Sequence, residues 1–90
     1  MMRTIERTTR FKKDYKREVK TDAELDDALC PILQLLLTDA ELPENVRDHG
    51  LSGNWKGYRD CHVKPDLVLI YCKQDKVLSL IRLGSHSALF

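Results

Sequence analysis

The chain lacks most of the features that announce a function class. No apolar run approaches the roughly 18 residues that a membrane-spanning helix needs, so no membrane segment is expected. No apolar stretch follows Met1-Met2-Arg3-Thr4-Ile5-Glu6, which argues against a secretory leader. Cysteine is sparse. Cys30, Cys61 and Cys72 are odd in number and contain no C-x-x-C pair, which excludes the even disulfide framework of a small secreted domain and suits a reducing cytoplasm. All three stand among apolar neighbours and are expected as buried, unreactive thiols. No P-loop, Gly-x-Gly-x-x-Gly or Gly-x-Ser-x-Gly motif occurs. The gaps between His49, His62 and His86 match no zinc-binding spacing, so neither a metal nor a cofactor is expected.

Ninety residues suffice for one domain, spanning 1–90, with little stability to spare. The net charge of +1 conceals a segregation. Residues 1–20 carry eight basic and three acidic side chains, residues 21–48 one and eight, and residues 49–90 six and three. Two basic segments around an acidic one suit a polyanionic partner with one excluded face. Complementation of helix dipoles explains the same pattern equally well.

Periodicity orders the elements. Thr4 to Arg7 is a short strand candidate. From Arg10 to Lys20, Phe11, Tyr15 and Val19 form one narrow apolar stripe on a helix otherwise covered by Lys12, Lys13, Lys16, Arg17 and Lys20. A second helix starts with Thr21 and Glu24 at capping-box spacing. Its stripe of Leu25, Ala28, Leu29, Ile32, Leu33 and Leu36 continues past Pro31, which predicts one bent helix ending near Thr38. A loop runs from Leu42 through Gly50, Gly53 and Gly57. The period then becomes two. Tyr58 to Val63 reads as a strand with Tyr58, Asp60 and His62 on one face. Leu67 to Cys72 is apolar on both faces, as a central strand should be, and Val77 to Leu83 forms another strand before a short tail. The fold class predicted is α+β, with two N-terminal helices packed on one face of a small antiparallel sheet.

The chemistry-bearing residues collect in the C-terminal half, near element ends. His49, His62 and His86 can titrate near neutrality, Asp66 follows a turn proline, and Arg82 closes the last strand. Such a set can take a proton from a hydroxyl, return one to a leaving oxygen and stabilise charge on a phosphorane-like centre. RNA brings its own nucleophile, the 2′-OH, so neither a covalent enzyme group nor a metal is required. Each residue also has a plainer reading: surface histidines, an arginine in a structural ion pair, an aspartate that forms a turn.

The run His49-Gly50-Leu51-Ser52-Gly53-Asn54-Trp55-Lys56-Gly57-Tyr58-Arg59-Asp60-Cys61-His62-Val63-Lys64-Pro65-Asp66, with Arg47-Asp48 before it, is distinctive as an ordered set. Leu69-Ile70-Tyr71 and the closing Arg82-Leu83-Gly84-Ser85-His86-Ser87-Ala88-Leu89-Phe90 extend it. The chain resembles the YafQ branch of the RelE-like toxins of bacterial toxin–antitoxin modules over nearly its whole length. The resemblance implies a RelE-like fold and a ribosome-dependent endoribonuclease that cuts messenger RNA in the ribosomal A site without a metal. It implies as partners the ribosome with its mRNA and rRNA, and a cognate antitoxin that binds DNA and is partly disordered. Operator DNA would be met only through the antitoxin complex. The matching catalytic positions are His49, His62, Asp66, Arg82 and His86. His86 would be the general acid and Arg82 the phosphate stabiliser, while His49, His62 and Asp66 orient the 2′-OH or accept its proton. Phe90 would position a base. Apart from the resemblance, the narrow apolar stripe of the first helix leaves Lys12, Lys13, Lys16 and Arg17 in solvent, where they are expected to contact RNA phosphates. Two positions depart from the family: Leu67 stands where a tryptophan is usual, and Gly50 where a proline follows the histidine. The competing expectation is a non-catalytic RNA- or protein-binding module on the same fold.

Overall fold

A computed structural model describes residues 3–90; Met1 and Met2, the first residues of the stretch read for a leader, lie outside the described residues. Strand β1 (Thr4–Arg7) leads into helix α1 (Thr9–Thr21). Thr8 caps α1: its hydroxyl accepts from the Phe11 N–H at 3.0 Å and donates to the Ile81 carbonyl at 2.8 Å, so one side chain starts the helix and ties it to the sheet. Helix α2 (Leu25–Leu37) runs unbroken through Pro31 and buries Leu25, Leu29, Ile32 and Leu36. The expected Thr21–Glu24 capping box does not form. Thr21 is the last residue of α1, its hydroxyl donates to the Glu18 carbonyl, and Asp22 instead accepts from the Glu24 N–H. Only three residues separate the helices, and the end of the first claims the hydroxyl that would have begun the second.

The remaining strands are β2 (His49–Gly50), β3 (Arg59–Lys64), β4 (Leu67–Lys73) and β5 (Val77–Gly84), followed by the one-turn helix α3 (His86–Leu89). The sheet order is β1-β5-β4-β3-β2. The β2–β3, β3–β4 and β4–β5 pairs are antiparallel, as predicted, but β1 lies parallel to β5 at the edge, which makes the sheet mixed. Side-chain alternation cannot reveal strand direction, and the four residues of β1 are all exposed. The predicted loop between Leu42 and Gly57 is more ordered than expected, with two 3-10 turns (Glu44–Val46 and Gly53–Trp55) flanking β2.

Strand β4 divides the interior. Leu67, Leu69 and Tyr71 face the helices with Cys61, Leu78, Leu80 and Leu83. Val68 and Ile70 face the other way and are covered by Leu89, Leu51, Trp55, Tyr58 and Ile81. Five consecutive buried side chains at about 1.5–3 kcal/mol each make β4 the main apolar contribution of the sheet. Of the cysteines, Cys61 is buried as expected, but Cys72 is only partly buried and Cys30 is exposed. It lies beside the α2 stripe rather than within it. Burial pushes the Cys61 thiol up to about 12, so it stays protonated and inert.

Candidate active site

Register carries the site. His49 on β2 pairs with Asp60 on β3, Asp60 with Ile70 on β4, and Ile70 with Arg82 on β5. Residues directly opposite one another share a sheet face, so His49, Asp60, Ile70 and Arg82 form one row across four strands. Asp60 and Arg82 are two strand spacings apart, about 10 Å, with an apolar side chain between them. The next row holds His62, Val68 and Gly84, and His86 begins the helix just beyond. Val68 and Ile70, both fully buried, are the floor; the polar groups stand on either side.

Two bulges aim this row. Pairing slips by one residue between His62 and Lys64 on β3, and between Ile70 and Tyr71 opposite β5, which leaves Val63 and Ile81 as the extra residues. The second bulge falls where β1 ends. Past Arg7 the edge of β5 has no strand beside it, and helix α1 satisfies its backbone. The Leu83 N–H donates to Asp14 Oδ2 at 3.1 Å, and Arg17 Nη2 donates to the Leu83 carbonyl at 3.2 Å.

Asp60 is buried, at 2 % exposure. His49 Nδ1 stands 3.0 Å from its Oδ1, yet that oxygen accepts no hydrogen bond from the described residues. The imidazole Nδ1 bonds instead to the Arg47 carbonyl at 2.9 Å. A carbonyl only accepts, so this contact places the proton on Nδ1 and leaves Nε2 with a free lone pair in the neutral ring. Burial raises the Asp60 pKa above the usual carboxylate range; charge on His49, His62 and His86 opposes that rise. Of the three, His49 is the one in contact with the carboxylate.

The loop bearing His49 is clamped from behind. Tyr71 donates its hydroxyl to Asp48 Oδ1, and Arg59 donates Nε and Nη2 to the same carboxylate at 3.3 and 3.1 Å. His62 is partly buried beside a groove of about 430 Å³ that also touches Asn45, Arg47, Lys64 and Pro65. Asp66 is an exposed residue of the β3–β4 turn, and no contact joins it to the cluster around Asp60. Arg82 is not a free cation: Nε and Nη2 bond Asp14 at 2.7 and 3.3 Å, and its side chain is 15 % exposed.

The C-terminal tail is a helix rather than an open segment, because Ser85 caps it by accepting from the Ala88 N–H. Leu89 is thereby seated on the floor, while His86 and Phe90 stay exposed. The His86 and Phe90 rings are 4.9 Å apart and tilted by 36°, and Phe90 meets Trp55 edge-on at 6.4 Å. Trp55 in turn meets Tyr58 at 5.8 Å. Lys12, Lys13, Lys16 and Lys20 are exposed on α1, but Arg17 also engages Asp14 and Glu18.

Sequence reasoning missed Asp60, Asp14 and the Trp55–Tyr58 pair. Asp60 was legible in part, as the charged residue sharing a face with His62. Asp14 had a weaker sign: it is the lone acid among Lys12, Lys13, Lys16 and Arg17. A groove of about 510 Å³ lies away from this chemistry, between β1 and the helices, and is lined by no histidine. Among the described residues, no three His, Cys, Asp or Glu side chains are grouped closely enough to hold a metal ion.

Comparison with known proteins agrees with this architecture. The mRNA interferase toxin YafQ of Escherichia coli K12 is 40% identical over 90 residues, covering 100% of this chain and 98% of that protein. A copper-bound mutant toxin from Helicobacter pylori superposes with a TM-score of 0.93 at 37% identity, covering 100% of both chains. The toxin in the E. coli DinJ–YafQ complex superposes with a TM-score of 0.87 at 43% identity, covering 98% of each. Residues 3–90 match the family described as the bacterial toxin of type II toxin–antitoxin system, YafQ. The chain belongs to the YafQ family of type II toxins.

Proposed function

We propose that the protein is an mRNA interferase that cuts messenger RNA in the ribosomal A site. The observation that carries this reading is the row His49–Asp60–Ile70–Arg82, with His62 in the next row and His86 just beyond the end of β5. The name of the E. coli relative, an mRNA interferase toxin, supports the substrate class.

In the reaction, a base takes the proton of the ribose 2′-OH and the 2′ oxygen attacks the adjacent phosphorus. The bond from phosphorus to the 5′ oxygen breaks, and that oxygen receives a proton. The products are a 2′,3′-cyclic phosphate and a 5′-hydroxyl. His49 suits the base, because its Nδ1–H is held and Nε2 is free. Asp60, close to Nδ1, stabilises the imidazolium that forms. His86 serves as general acid, Arg82 receives the developing phosphate charge, and His62 orients the 2′-OH. Asp66, from its exposed turn, contacts the ribose rather than joining the buried cluster. Phe90, held edge-on by Trp55, offers a face to a base. No cofactor or metal takes part, since the nucleophile belongs to the RNA. Lys12, Lys13 and Lys16 bind ribosomal RNA phosphates; Arg17 serves mainly to hold Asp14 and Leu83.

The protein acts in the cytoplasm, where ribosomes are, and is held inactive by an antitoxin. The DinJ–YafQ complex supports a protein antitoxin as partner. In our reading that antitoxin is partly disordered when free and is the only route by which the toxin meets operator DNA. The test is single-turnover cleavage of mRNA on programmed ribosomes across pH. His86→Ala and His86→Gln should fold, bind ribosomes and cleave about 10²–10⁴-fold slower. Chelation should not change the parental rate, and downstream fragments should begin with a 5′-hydroxyl. A 5′-phosphate there would overturn the mechanism. Ribosome binding without any cleavage by the parent would make it a binding module.

A further inference from the structure

We propose that Asp14 is a positioning residue for Arg82, holding one edge of its guanidinium so that the other edge meets the scissile phosphate. The proposal rests on the assignment of Arg82 to phosphate stabilisation. Asp14 is 3 % exposed on a helix that otherwise displays lysines, and its two oxygens receive four donors. Oδ2 takes Arg82 Nε at 2.7 Å and the Leu83 N–H at 3.1 Å; Oδ1 takes Arg82 Nη2 at 3.3 Å and lies 3.2 Å from Arg17 Nη1.

This is more than an ion pair. The carboxylate holds the arginine side chain and the backbone immediately after it, at a bulge where β5 has lost its neighbouring strand. Thr8, six residues earlier on the same segment, holds the Ile81 carbonyl just before it. The bulge is therefore pinned on both sides from the start of α1, and with it the direction in which Arg82 leaves the sheet. A guanidinium has five N–H donors in a rigid fork. Asp14 uses the Nε–Nη2 edge, and both Nη1 protons remain for an anion. Arg17, itself paired with Glu18, also lies against the carboxylate, so the attraction for a phosphate comes from the free Nη1 edge of Arg82 rather than from a net local charge.

The experiment compares Asp14→Asn, Arg82→Ala and the double variant in single-turnover cleavage on programmed ribosomes. Asp14→Asn should lower the rate about 10²-fold, the scale of a misplaced catalytic group, with ribosome affinity unchanged. The double variant should be no slower than Arg82→Ala. Added guanidinium chloride at non-denaturing concentration should partly restore Arg82→Ala and leave the double variant unrestored. Independent, multiplying losses, or equal restoration of both variants, would overturn the proposal. Arg82→Ala cutting at the parental rate would refute the role of Arg82 itself, and this proposal with it. A slow Arg82→Ala beside a normal Asp14→Asn would refute only the positioning. If Asp14→Asn does not fold, NMR of the parent decides: a resolved, slowly exchanging Arg82 Nε–H is expected, and a rapidly exchanging, averaged signal overturns the proposal.

Discussion

Asp14 and Asp60 are the two buried acids of this protein, and their surroundings treat them in opposite ways. Burial alone would raise the pKa of Asp14, but hydrogen bonds from Arg82 and Leu83 and the charges of Arg82 and Arg17 outweigh it and hold it low. Asp60 meets no hydrogen-bond donor at Oδ1, burial dominates, and its pKa rises. A fully satisfied carboxylate is a fixed part of the scaffold. A desolvated and under-bonded one stores unfavourable energy, which is characteristic of functional sites. On the proposed function, the difference separates a group that holds the site from one that works in it.

The largest effect expected is on stability at Asp14. Asp14→Ala leaves Arg82 and the Leu83 N–H without their acceptor and should cost about 3–5 kcal/mol, measured by urea unfolding at neutral pH. A loss below about 1 kcal/mol, in the range of surface pairs, would end the contrast. Asp60→Asn should do the reverse, raising stability by about 1–3 kcal/mol through relief of an unsatisfied buried group while slowing cleavage. A variant less stable than the parent would show that Asp60 is bonded after all.

Titration sharpens the same comparison. The pKa of Asp14 is lowered on folding, so its stabilisation is present above the ordinary carboxylate value, about 4, and is lost as pH falls below it. The pKa of Asp60 is raised, so its penalty is present at neutral pH and is relieved as pH falls through the range just above that value. The stability gap between Asp60→Asn and the parent should therefore narrow first on acidification, and that between Asp14→Asn and the parent later. Closure in the opposite order would reverse the assignments. The smallest effect concerns the outer surface of α1. Changing Lys12, Lys13 and Lys16 to glutamate should weaken ribosome binding with folding intact. For every phosphate that these lysines no longer neutralise, the slope of log K against log salt should flatten by about 0.7–0.9. An unchanged slope would assign these lysines to helix dipoles.

Much of the fold was written in periodicity, because burial on one face leaves its period in the residue types. The α1 stripe, the C-terminal end of α2, the doubly apolar β4 and the β3 and β5 strands all emerged within a residue or two, whereas α2 begins at Leu25 rather than directly after Thr21. Features set by backbone partners left no such mark. The parallel pairing of β1, the failed capping box and the order in the loop before β3 depend on which donor or acceptor arrives first. The α3 helix was missed although Ser85 is a sound cap, since four residues carry no period.

The sequence by itself determined the family, the residue types of the site and the two faces of the sheet, for these follow from side-chain identity and alternation. Only the tertiary structure decided which of those residues meet. Strand register aligned His49, Asp60, Ile70 and Arg82, although they lie on four strands spread along the C-terminal half of the chain. The end of β1 brought Asp14 of α1 to the open edge of β5. Both depend on hydrogen bonds between distant backbone groups, which every residue but proline offers alike, and so no residue type announces them.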